Sequence, residues 1–168
     1  AATVAALKEA GLACQWVTGA GTGTYAYEGS SGTYTEIQPG SYVFMDADYG
    51  RNQWPDSVPL EQSVFVVATV MSVTPPSRAV VDAGLKASSI DSGLPLVAGR
   101  HGVTYAQASD EHGVLALAPD AARLALGDKL RLIPGHCDPT VNLYDWMVAV
   151  RGDRVEDVWP IAARGAVA

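Results

Sequence analysis

Residues 132–146, LIPGHCDPTVNLYDW, place three potential metal ligands at consecutive positions. They are His136, Cys137 and Asp138, in a chain that has three histidines and two cysteines. If residues 134–138 are extended, successive side chains point to opposite faces, so His136 and Asp138 share one face while Cys137 packs behind them as a small apolar residue. A histidine–aspartate pair suits Mn²⁺, Mg²⁺ or Zn²⁺, whereas a histidine–cysteine pair would favour zinc more strongly.

The same stretch has two competing interpretations. Two protein ligands would leave coordination positions open for water or substrate, which is typical of a catalytic metal site. On the other hand, Pro134-Gly135 and Asp138-Pro139 are turn dipeptides, and the Asp138 side chain could simply form an Asx-turn. The residues alone leave the metal site and the turn equally open.

A second candidate site is the glycine-rich stretch VTGAGTGTY, residues 17–25. Glycines at positions 19, 21 and 23 let backbone N–H groups approach a phosphate, and Thr22 and Thr24 could add hydroxyl donors. The spacing matches neither the dinucleotide fingerprint nor a P-loop, so a flexible turn is the simpler interpretation of the local pattern. The phosphate interpretation gains if the preceding segment ends a βα barrel.

Other reactive residues have simpler explanations. Lys86 could form a Schiff base, but nothing adjacent indicates that it is desolvated. Residues 109–115 are predicted to form a hairpin tip, and His101 is predicted to be a loop residue. A free-standing metal hydrolase would need a third ligand such as His112 or His101. The RGD at 151–153 is better explained as a tight hairpin turn.

The elements that must position these residues are mostly short strands. Residues 2–10 have helix-forming composition with Gly11 as a C-terminal cap, and residues 12–19 are predicted to be a short buried strand. From about residue 33 onward, many short strand-like runs with turn signals predict an antiparallel sandwich or barrel, so the chain is mainly β with an α/β stub in front. The predicted strands are 33–38, 41–46, 63–73, 78–83, 103–108, 114–118, 129–133, 146–150 and 154–161.

Composition narrows the possible partners. The net charge of −7 and the absence of a basic cluster argue against nucleic acid and anionic membranes. No apolar run approaches the ~20 residues of a membrane span. Cys14 and Cys137 do not make a disulfide framework, which favours a cytoplasmic protein. The chain starts with alanine inside a helix-like segment, so we expect it to be part of a longer protein.

Six stretches carry a family resemblance through their order along the chain: VTGAGTGTY, EIQPGSYVFMDADY, VVDAGLKASSIDSG, DEHG, PGHCDPTVNLYDW and VWPIAARG. Over essentially all 168 residues the chain resembles the C-terminal part of the D-threonine aldolase / D-serine dehydratase family, pyridoxal-phosphate enzymes of fold type III with alanine racemase-like architecture. The resemblance implies that residues 1–30 are the last helix and strand of a βα barrel with its phosphate-binding loop. Residues 31–168 would then form a β-rich C-terminal metal-binding domain.

The resemblance also implies roles for individual residues. His136 and Asp138 match the family's divalent-metal pair, and Cys137 between them would not be a ligand. Members that dehydrate D-serine usually carry cysteine where Asp138 stands, so the aspartate favours the aldolase branch. Five residues would contact pyridoxal 5′-phosphate, namely Gly21, Thr22, Gly23, Thr24 and Tyr42.

The implied reaction is cleavage of a D-3-hydroxy amino acid to glycine and an aldehyde. The cofactor would act as an electron sink, and the metal would bind the substrate's 3-hydroxyl, whose proton His136 or a metal-bound water would remove. The alternatives are a D-serine dehydratase-like deaminase, or a non-catalytic β domain that caps a barrel or dimerises. The family's Schiff-base lysine lies near the start of an N-terminal barrel, so we expect this chain alone to be inactive. We also expect the full-length protein to be a homodimer.

Overall fold

The computed structural model describes residues 1–54, 60–74 and 76–166. The chain divides into two compact units, Ala1–Val43 with Asn52–Leu60, and Phe44–Arg51 with Glu61–Ala168. The elements of the first unit are α1 (Ala2–Glu9), β1 (Thr18–Gly19), α2 (Tyr25–Ser30), β2 (Glu36–Ile37) and a 3-10 turn at Ser41–Val43. Strands β1 and β2 pair in parallel.

The predicted N-terminal helix is confirmed in the first unit, but the buried strand predicted after it is wrong. Residues 12–19 are not a buried strand, because within the described residues only Thr18–Gly19 of this stretch pairs, and the side chains of Leu12 and Trp16 are 56% and 73% exposed. The ladder ends at Val17, whose N–H donates to the side-chain Oγ1 of Thr35 at 2.9 Å instead of to a backbone carbonyl. The strand predicted over 33–38 is correspondingly reduced to β2.

The strand predicted over 41–46 is also wrong. Its first residues form the 3-10 turn, and Met45 has a φ of 56°, which is incompatible with an extended strand. The chain therefore bends sharply just before Asp46, a residue that matters for the candidate site below.

The described residues of the second unit form ten elements. They are a 3-10 turn (Tyr49–Arg51), β3 (Val66–Thr74), β4 (Arg78–Val81), β5 (Leu96–Val97), β6 (Val103–Ala108), β7 (Gly113–Leu117), β8 (Lys129–Ile133), α3 (Cys137–Val141), β9 (Trp146–Arg151) and β10 (Arg154–Pro160). Six strands form one antiparallel sheet in the order β5-β8-β3-β4-β7-β6. The two end strands, β5 and β6, contact each other, so the sheet is nearly closed. The prediction of a mainly β, barrel-like antiparallel fold is confirmed.

The core of this sheet follows from alternation along its strands. In β3 the side chains of Val66, Ala68 and Val70 are buried, while those of Val67 and Thr69 between them are less buried. The other strands contribute Leu115, Leu130 and Leu132 to the same cluster, among further residues. Full burial of a valine or leucine side chain is worth about 1.5–3 kcal/mol, so this face is what fixes the register of the sheet.

The last two strands form a separate antiparallel hairpin. Strand β9 pairs only with β10 in the described part of the chain, and Gly152 in the connecting turn has a φ of 60°. The hairpin predicted at the RGD sequence is confirmed, because a glycine suits the positive φ that a tight turn requires. Among the described residues, the search for a helix long and apolar enough to cross a membrane found none.

Candidate functional site

His136 lies where strand β8 passes into helix α3. Its backbone is extended, with φ −141° and ψ 125°, and it occupies the N-cap position of the helix. The helix then begins at Cys137, so the extended conformation expected over 134–138 is wrong beyond His136. Pro139 is compatible with this start because the backbone N–H groups of the first helical turn have no acceptor within the helix. An acidic residue such as Asp138 is also favoured in this turn.

The two predicted ligands nevertheless lie close together. Nε2 of His136 is 3.8 Å from Oδ2 of Asp138. The Cys137 side chain between them is fully buried, as expected for a residue that packs behind the pair, and its Sγ donates to Oδ1 of Asp138 at 3.1 Å. The histidine side chain is 26% exposed and that of Asp138 is 66% exposed, so the pair faces solvent.

The other ring nitrogen of His136 contacts a carboxylate that the sequence analysis did not single out. Nδ1 is 2.7 Å from Oδ2 of Asp91 and 3.5 Å from Oγ of Ser92. Asp91 is oriented in turn by Ser89, whose hydroxyl donates to its other oxygen, Oδ1, at 2.5 Å. The imidazole therefore lies between two carboxylates, one at each nitrogen.

These neighbours shift the ionisation of both partners. Partial burial lowers the pKa of His136, but the hydrogen bond with Asp91 and the negative charges of Asp91, Asp138 and Asp46 outweigh burial, and the pKa is raised above its usual 6.5. The hydrogen bond from Ser89, followed by that from His136, lowers the pKa of Asp91 below its usual 3.8. Asp91 is therefore a carboxylate at neutral pH and can only accept hydrogen bonds.

A buried aspartate fixes the backbone under the pair. Asp46 is 1% exposed, and its Oδ2 accepts the N–H of Cys137 at 2.8 Å while its Oδ1 accepts the N–H of Tyr49 at 2.8 Å. The next two residues continue the attachment, because Ala47 N–H donates to Pro134 O at 2.9 Å and Asp48 N–H donates to Gly135 O at 3.2 Å. Asp46 thus satisfies a backbone donor in the first turn of α3 and holds the approach to His136 in place.

The loop that carries Asp91 is tied to the same helix. The backbone N–H of Ser89 donates to Oγ1 of Thr140, a buried residue of α3, at 3.1 Å. Gly135 packs so closely on this loop that a Cβ there would lie 1.9 Å from the carbonyl oxygen of Gly93. A glycine is therefore required at 135 by the close approach of two backbones, and the distance between Asp91 and His136 is set by both contacts.

The other candidates from the sequence stand apart from this pair. His101 contacts Asp120 through Nε2 at 3.0 Å, and both side chains are largely exposed. Lys86 forms an exposed ion pair with Glu111, a hydrogen bond that raises the pKa of the lysine. His112 lies at the hairpin tip between β6 and β7, as predicted. Within residues 1–54, 60–74 and 76–166 no group of three or more His, Cys, Asp or Glu has an arrangement that could hold a metal ion.

The predicted cofactor residues lie in the first unit. Thr22 is 1% exposed, and its Oγ1 accepts the backbone N–H of Tyr42 at 3.0 Å, so the structure brings the glycine-rich loop and Tyr42 into contact. A Cβ at Gly19 would lie 2.9 Å from the Tyr34 ring, whereas one at Gly21 would meet nothing within 4 Å. Packing thus explains the glycine at 19, while the backbone at Gly21 is open.

Two residues of the site, Asp91 and Asp46, are not predicted from the sequence. Asp91 is 45 residues from His136 in the sequence, and Asp46 is 91 residues from Cys137. No local spacing could therefore link them to the His136–Asp138 pair. Both occur inside stretches that carried the family resemblance, IDSG and MDAD, and that is the signal that could have found them.

The fold and the histidine–aspartate pair define a mainly β domain with a two-ligand candidate metal site. Residues 63–150 match the family described as Putative serine dehydratase domain. The match covers more than half of the chain, and the chain belongs to this family.

Two of the similar proteins are named as aldolases. The chain is 50% identical over 159 residues to D-threonine aldolase from Arthrobacter sp., covering 95% of the chain and 42% of that protein. It is 53% identical over 167 residues to 3-hydroxy-D-aspartate aldolase from Paracoccus denitrificans (strain Pd 1222), covering 96% of the chain and 43% of that protein. The chain therefore spans less than half the length of these relatives and corresponds to their C-terminal part.

Solved structures agree with the fold. D-threonine aldolase from Filomicrobium marinum has a TM-score of 0.90 and 50% identity, with 98% of this chain and 45% of that chain covered. D-threo-3-hydroxyaspartate dehydratase from Delftia sp. HT23 has a TM-score of 0.73 and 30% identity, with 94% and 46% covered, and one variant of it was solved in a metal-free form. An alanine racemase-like protein from Idiomarina loihiensis, at 22% identity, TM-score 0.76 and coverage of 93% and 46%, shares the fold.

Proposed function

We propose that the full-length protein, the polypeptide in which this chain occurs, is a pyridoxal-phosphate- and divalent-metal-dependent lyase of D-3-hydroxy amino acids. Its reaction is retro-aldol cleavage to glycine and an aldehyde, as in a D-threonine aldolase. The observation that carries the proposal is the placement of His136, with Nδ1 engaged by Asp91 and Nε2 directed towards Asp138. In this proposal residues 1–30 supply the phosphate loop and residues 31–168 supply the metal ligands.

The residues present fit a divalent metal. Ligands at neighbouring positions around one ion are about 3–3.5 Å apart, since each lies about 2.0–2.2 Å from the metal. The separation of 3.8 Å between Nε2 and Oδ2 approaches that value. One imidazole and one carboxylate suit Mn²⁺, Mg²⁺ or Zn²⁺, and two protein ligands leave positions for a substrate oxygen. A hydrolase with three protein ligands is less well supported, because His101 and His112 are not grouped with this pair in the described part of the chain.

The glycine-rich loop fits a phosphate in a more limited way. The backbone at Gly21 is open, and no side chain or positive φ explains a glycine there. Thr22 accepts the Tyr42 N–H through its hydroxyl oxygen, which leaves the hydroxyl hydrogen able to donate. We infer that Gly21, Thr22, Gly23 and Thr24 contact the cofactor phosphate and that Tyr42 lies near the cofactor.

The protein's own residues would then share the work as follows. When bound, pyridoxal phosphate supplies an electron sink and the metal supplies a Lewis acid at the substrate's 3-hydroxyl. His136 and Asp138 hold the metal and so orient that hydroxyl. Because Nδ1 of His136 is hydrogen-bonded to Asp91, a histidine that uses Nε2 as a ligand has no free nitrogen for a proton. His136 therefore acts as a ligand, and its predicted role as a base is secondary.

The aldolase branch is favoured over the dehydratase branch by two observations. The residue after Cys137 is aspartate, and the family resemblance implies that members that dehydrate D-serine usually carry cysteine at this position. Identity to the two aldolases is 50% and 53%, against 31% to the D-threo-3-hydroxyaspartate dehydratase from Delftia sp. (strain HT23). The alternatives are a D-serine dehydratase-like deaminase and a non-catalytic β domain. A homodimer and a cytoplasmic location stay predictions.

The metal assignment can be tested in the full-length protein. Asp138→Ala should remove the dependence of activity on added Mn²⁺ and most of the cleavage of D-threonine, while the visible absorbance of the bound cofactor is retained. Asp120→Ala is the matched control, because it removes an exposed carboxylate that also contacts a histidine. Wild-type activity that is unchanged by a chelator would contradict the metal role, and release of ammonia from D-serine in place of aldol cleavage would favour the dehydratase.

A further inference from the structure

We propose that Asp91 is a positioning residue that prepares His136 to bind the metal, an inference that rests on the metal site proposed above. Asp91 fixes the proton of the neutral imidazole on Nδ1 and thereby leaves the lone pair of Nε2 available on the side of Asp138. The geometric basis is the 2.7 Å contact between Nδ1 of His136 and Oδ2 of Asp91 at one end of the ring, with Asp138 at the other end.

The direction of the hydrogen bond follows from the chemistry of the partners. A carboxylate has no hydrogen to give, so Nδ1 must be the donor. In a neutral imidazole only one nitrogen carries hydrogen, and a hydrogen bond at one nitrogen decides the state of the other. Nε2 is then an acceptor, which is the form of histidine that can bind a metal ion. Without Asp91 the ring would be free to place its proton on Nε2, where it would compete with the ion.

The orientation of Asp91 itself is built into the fold. Ser89 donates to Oδ1 of Asp91 at 2.5 Å, which leaves Oδ2 for His136. The backbone of Ser89 is attached to Thr140 in the same helix that His136 caps. A carboxylate held by contacts at both oxygens cannot rotate away without losing one of them, so the ring is held in rotation as well as in protonation.

The two carboxylates constrain the ring to different extents. The Asp138 side chain is 66% exposed and that of His136 is 26% exposed. An exposed carboxylate 3.8 Å away constrains the ring weakly, because water competes with it. The short contact at Nδ1 is therefore the one that sets the direction of Nε2. Outer partners of this kind typically change metal affinity by about 10- to 100-fold when they are removed.

The experiment measures Mn²⁺ binding to the full-length protein by electron paramagnetic resonance, with the metal alone as the probe. Asp91→Ala should weaken binding about 10- to 100-fold. Asp91→Asn keeps an acceptor oxygen for Nδ1–H and should weaken it less than about tenfold. Asp120→Ala, which removes a carboxylate from the exposed His101 contact, should bind like the wild type.

The outcomes separate this inference from the metal site itself. If His136→Ala and Asp138→Ala lose binding while Asp91→Ala binds like the wild type, the positioning role is wrong and the metal site stands. If neither ligand variant changes binding, the metal site is wrong and Asp91 loses its proposed purpose. Equal losses in Asp91→Ala and Asp91→Asn would also contradict the role, because the asparagine preserves the acceptor.

A second readout does not depend on metal, and its wild-type spectrum does not depend on the folding of a variant. Nitrogen-15 spectra of metal-free wild-type protein, recorded at a pH where His136 is neutral, should show hydrogen on Nδ1 and none on Nε2. The same tautomer is expected in Asp91→Asn, and a shift towards the Nε2–H form is expected in Asp91→Ala. A wild-type His136 that carries its hydrogen on Nε2 would overturn the inference.

Discussion

Replacing Asp46 by alanine should destabilise the protein at the start of α3 and loosen the backbone under His136. The Asp46 carboxylate is 1% exposed and gives each of its oxygens to a different backbone donor, Cys137 N–H and Tyr49 N–H, both at 2.8 Å. No residue without an acceptor side chain can replace it. The perturbation therefore removes two hydrogen bonds to a charged group at one site.

The magnitude follows from the surroundings of the two donors. A hydrogen bond to a charged group contributes about 1.5–3 kcal/mol, and a buried donor left without a partner costs about 1–3 kcal/mol. Cys137 is fully buried, so water cannot replace the carboxylate at its N–H. Tyr49 is half-buried, and water can recover part of the second loss. We expect the free energy of unfolding to fall by about 2–4 kcal/mol in Asp46→Ala.

Urea unfolding followed by tryptophan fluorescence measures this change. Asp46→Asn offers one acceptor oxygen in place of two, so its loss should be about half that of the alanine variant. Asp48→Ala is the control, because the Asp48 side chain is 45% exposed and its ion pair with Arg51 is worth at most about 1 kcal/mol. A loss in Asp46→Ala that is no larger than that in Asp48→Ala would refute the reasoning.

Three further variants test other parts of the second unit. Gly135→Ala places a Cβ 1.9 Å from a backbone oxygen and should lower both the Tm and Mn²⁺ affinity, whereas Gly50→Ala, which meets nothing within 4 Å, should change neither; equal behaviour would argue against the close approach. Burial raises the pKa of Tyr105. Its protonated form therefore stabilises the fold fully below about pH 10 and less as the pH rises through the folded pKa. Tyr105→Phe should lower the free energy of unfolding by about 1 kcal/mol near neutral pH. Because phenylalanine does not ionise, the variant should lose less stability than the wild type when the pH is raised. Urea unfolding at both pH values measures these changes. Lys86→Ala removes an exposed ion pair and should change the free energy of unfolding by less than about 1 kcal/mol without loss of cofactor absorbance; a lost absorbance would make Lys86 the Schiff-base residue.

The strands of the second unit were predictable because their side chains alternate against one core. Strands β6 and β8 occupy the predicted residues 103–108 and 129–133, and β7 is displaced by one residue. In these strands the buried positions are every second residue, so local sequence carries the pattern. Strand β5 was missed because two residues, Leu96–Val97, are too few to show any period.

The failures in the first unit have a different cause. LACQWVTG has the composition of a buried strand, yet Leu12 and Trp16 are exposed there. A run of apolar residues indicates that a surface can be buried, but it does not indicate which part of the protein covers that surface. The ladder also needs a neighbouring backbone, and only Thr18–Gly19 has one in the described residues. Composition alone could not supply that information.

The candidate site was predictable only where its residues are neighbours in sequence. His136 and Asp138 share one motif, whereas Asp91 reaches the ring from 45 residues away and Asp46 reaches Cys137 from 91 residues away. Each belongs to a loop whose position depends on the closed sheet. The contacts of Asp91 and Asp46 therefore depend on the tertiary structure, whereas the candidate ligands His136 and Asp138 can be read from one sequence motif.

The prediction of the His136–Asp138 pair assumes an extended conformation over residues 134–138, which the structure does not have beyond His136. Alternation along an extended segment placed His136 and Asp138 on one face, but the chain turns into helix α3 at Cys137. The pair persists because His136 is still extended as the N-cap while Asp138 occupies the first helical turn, which leaves their side chains 3.8 Å apart. A turn and a metal site are therefore compatible in this stretch, because the helix start brings the two side chains together. If so, the pair depends on the backbone contacts of Asp46 at that start, and Asp46→Ala should weaken Mn²⁺ binding along with stability.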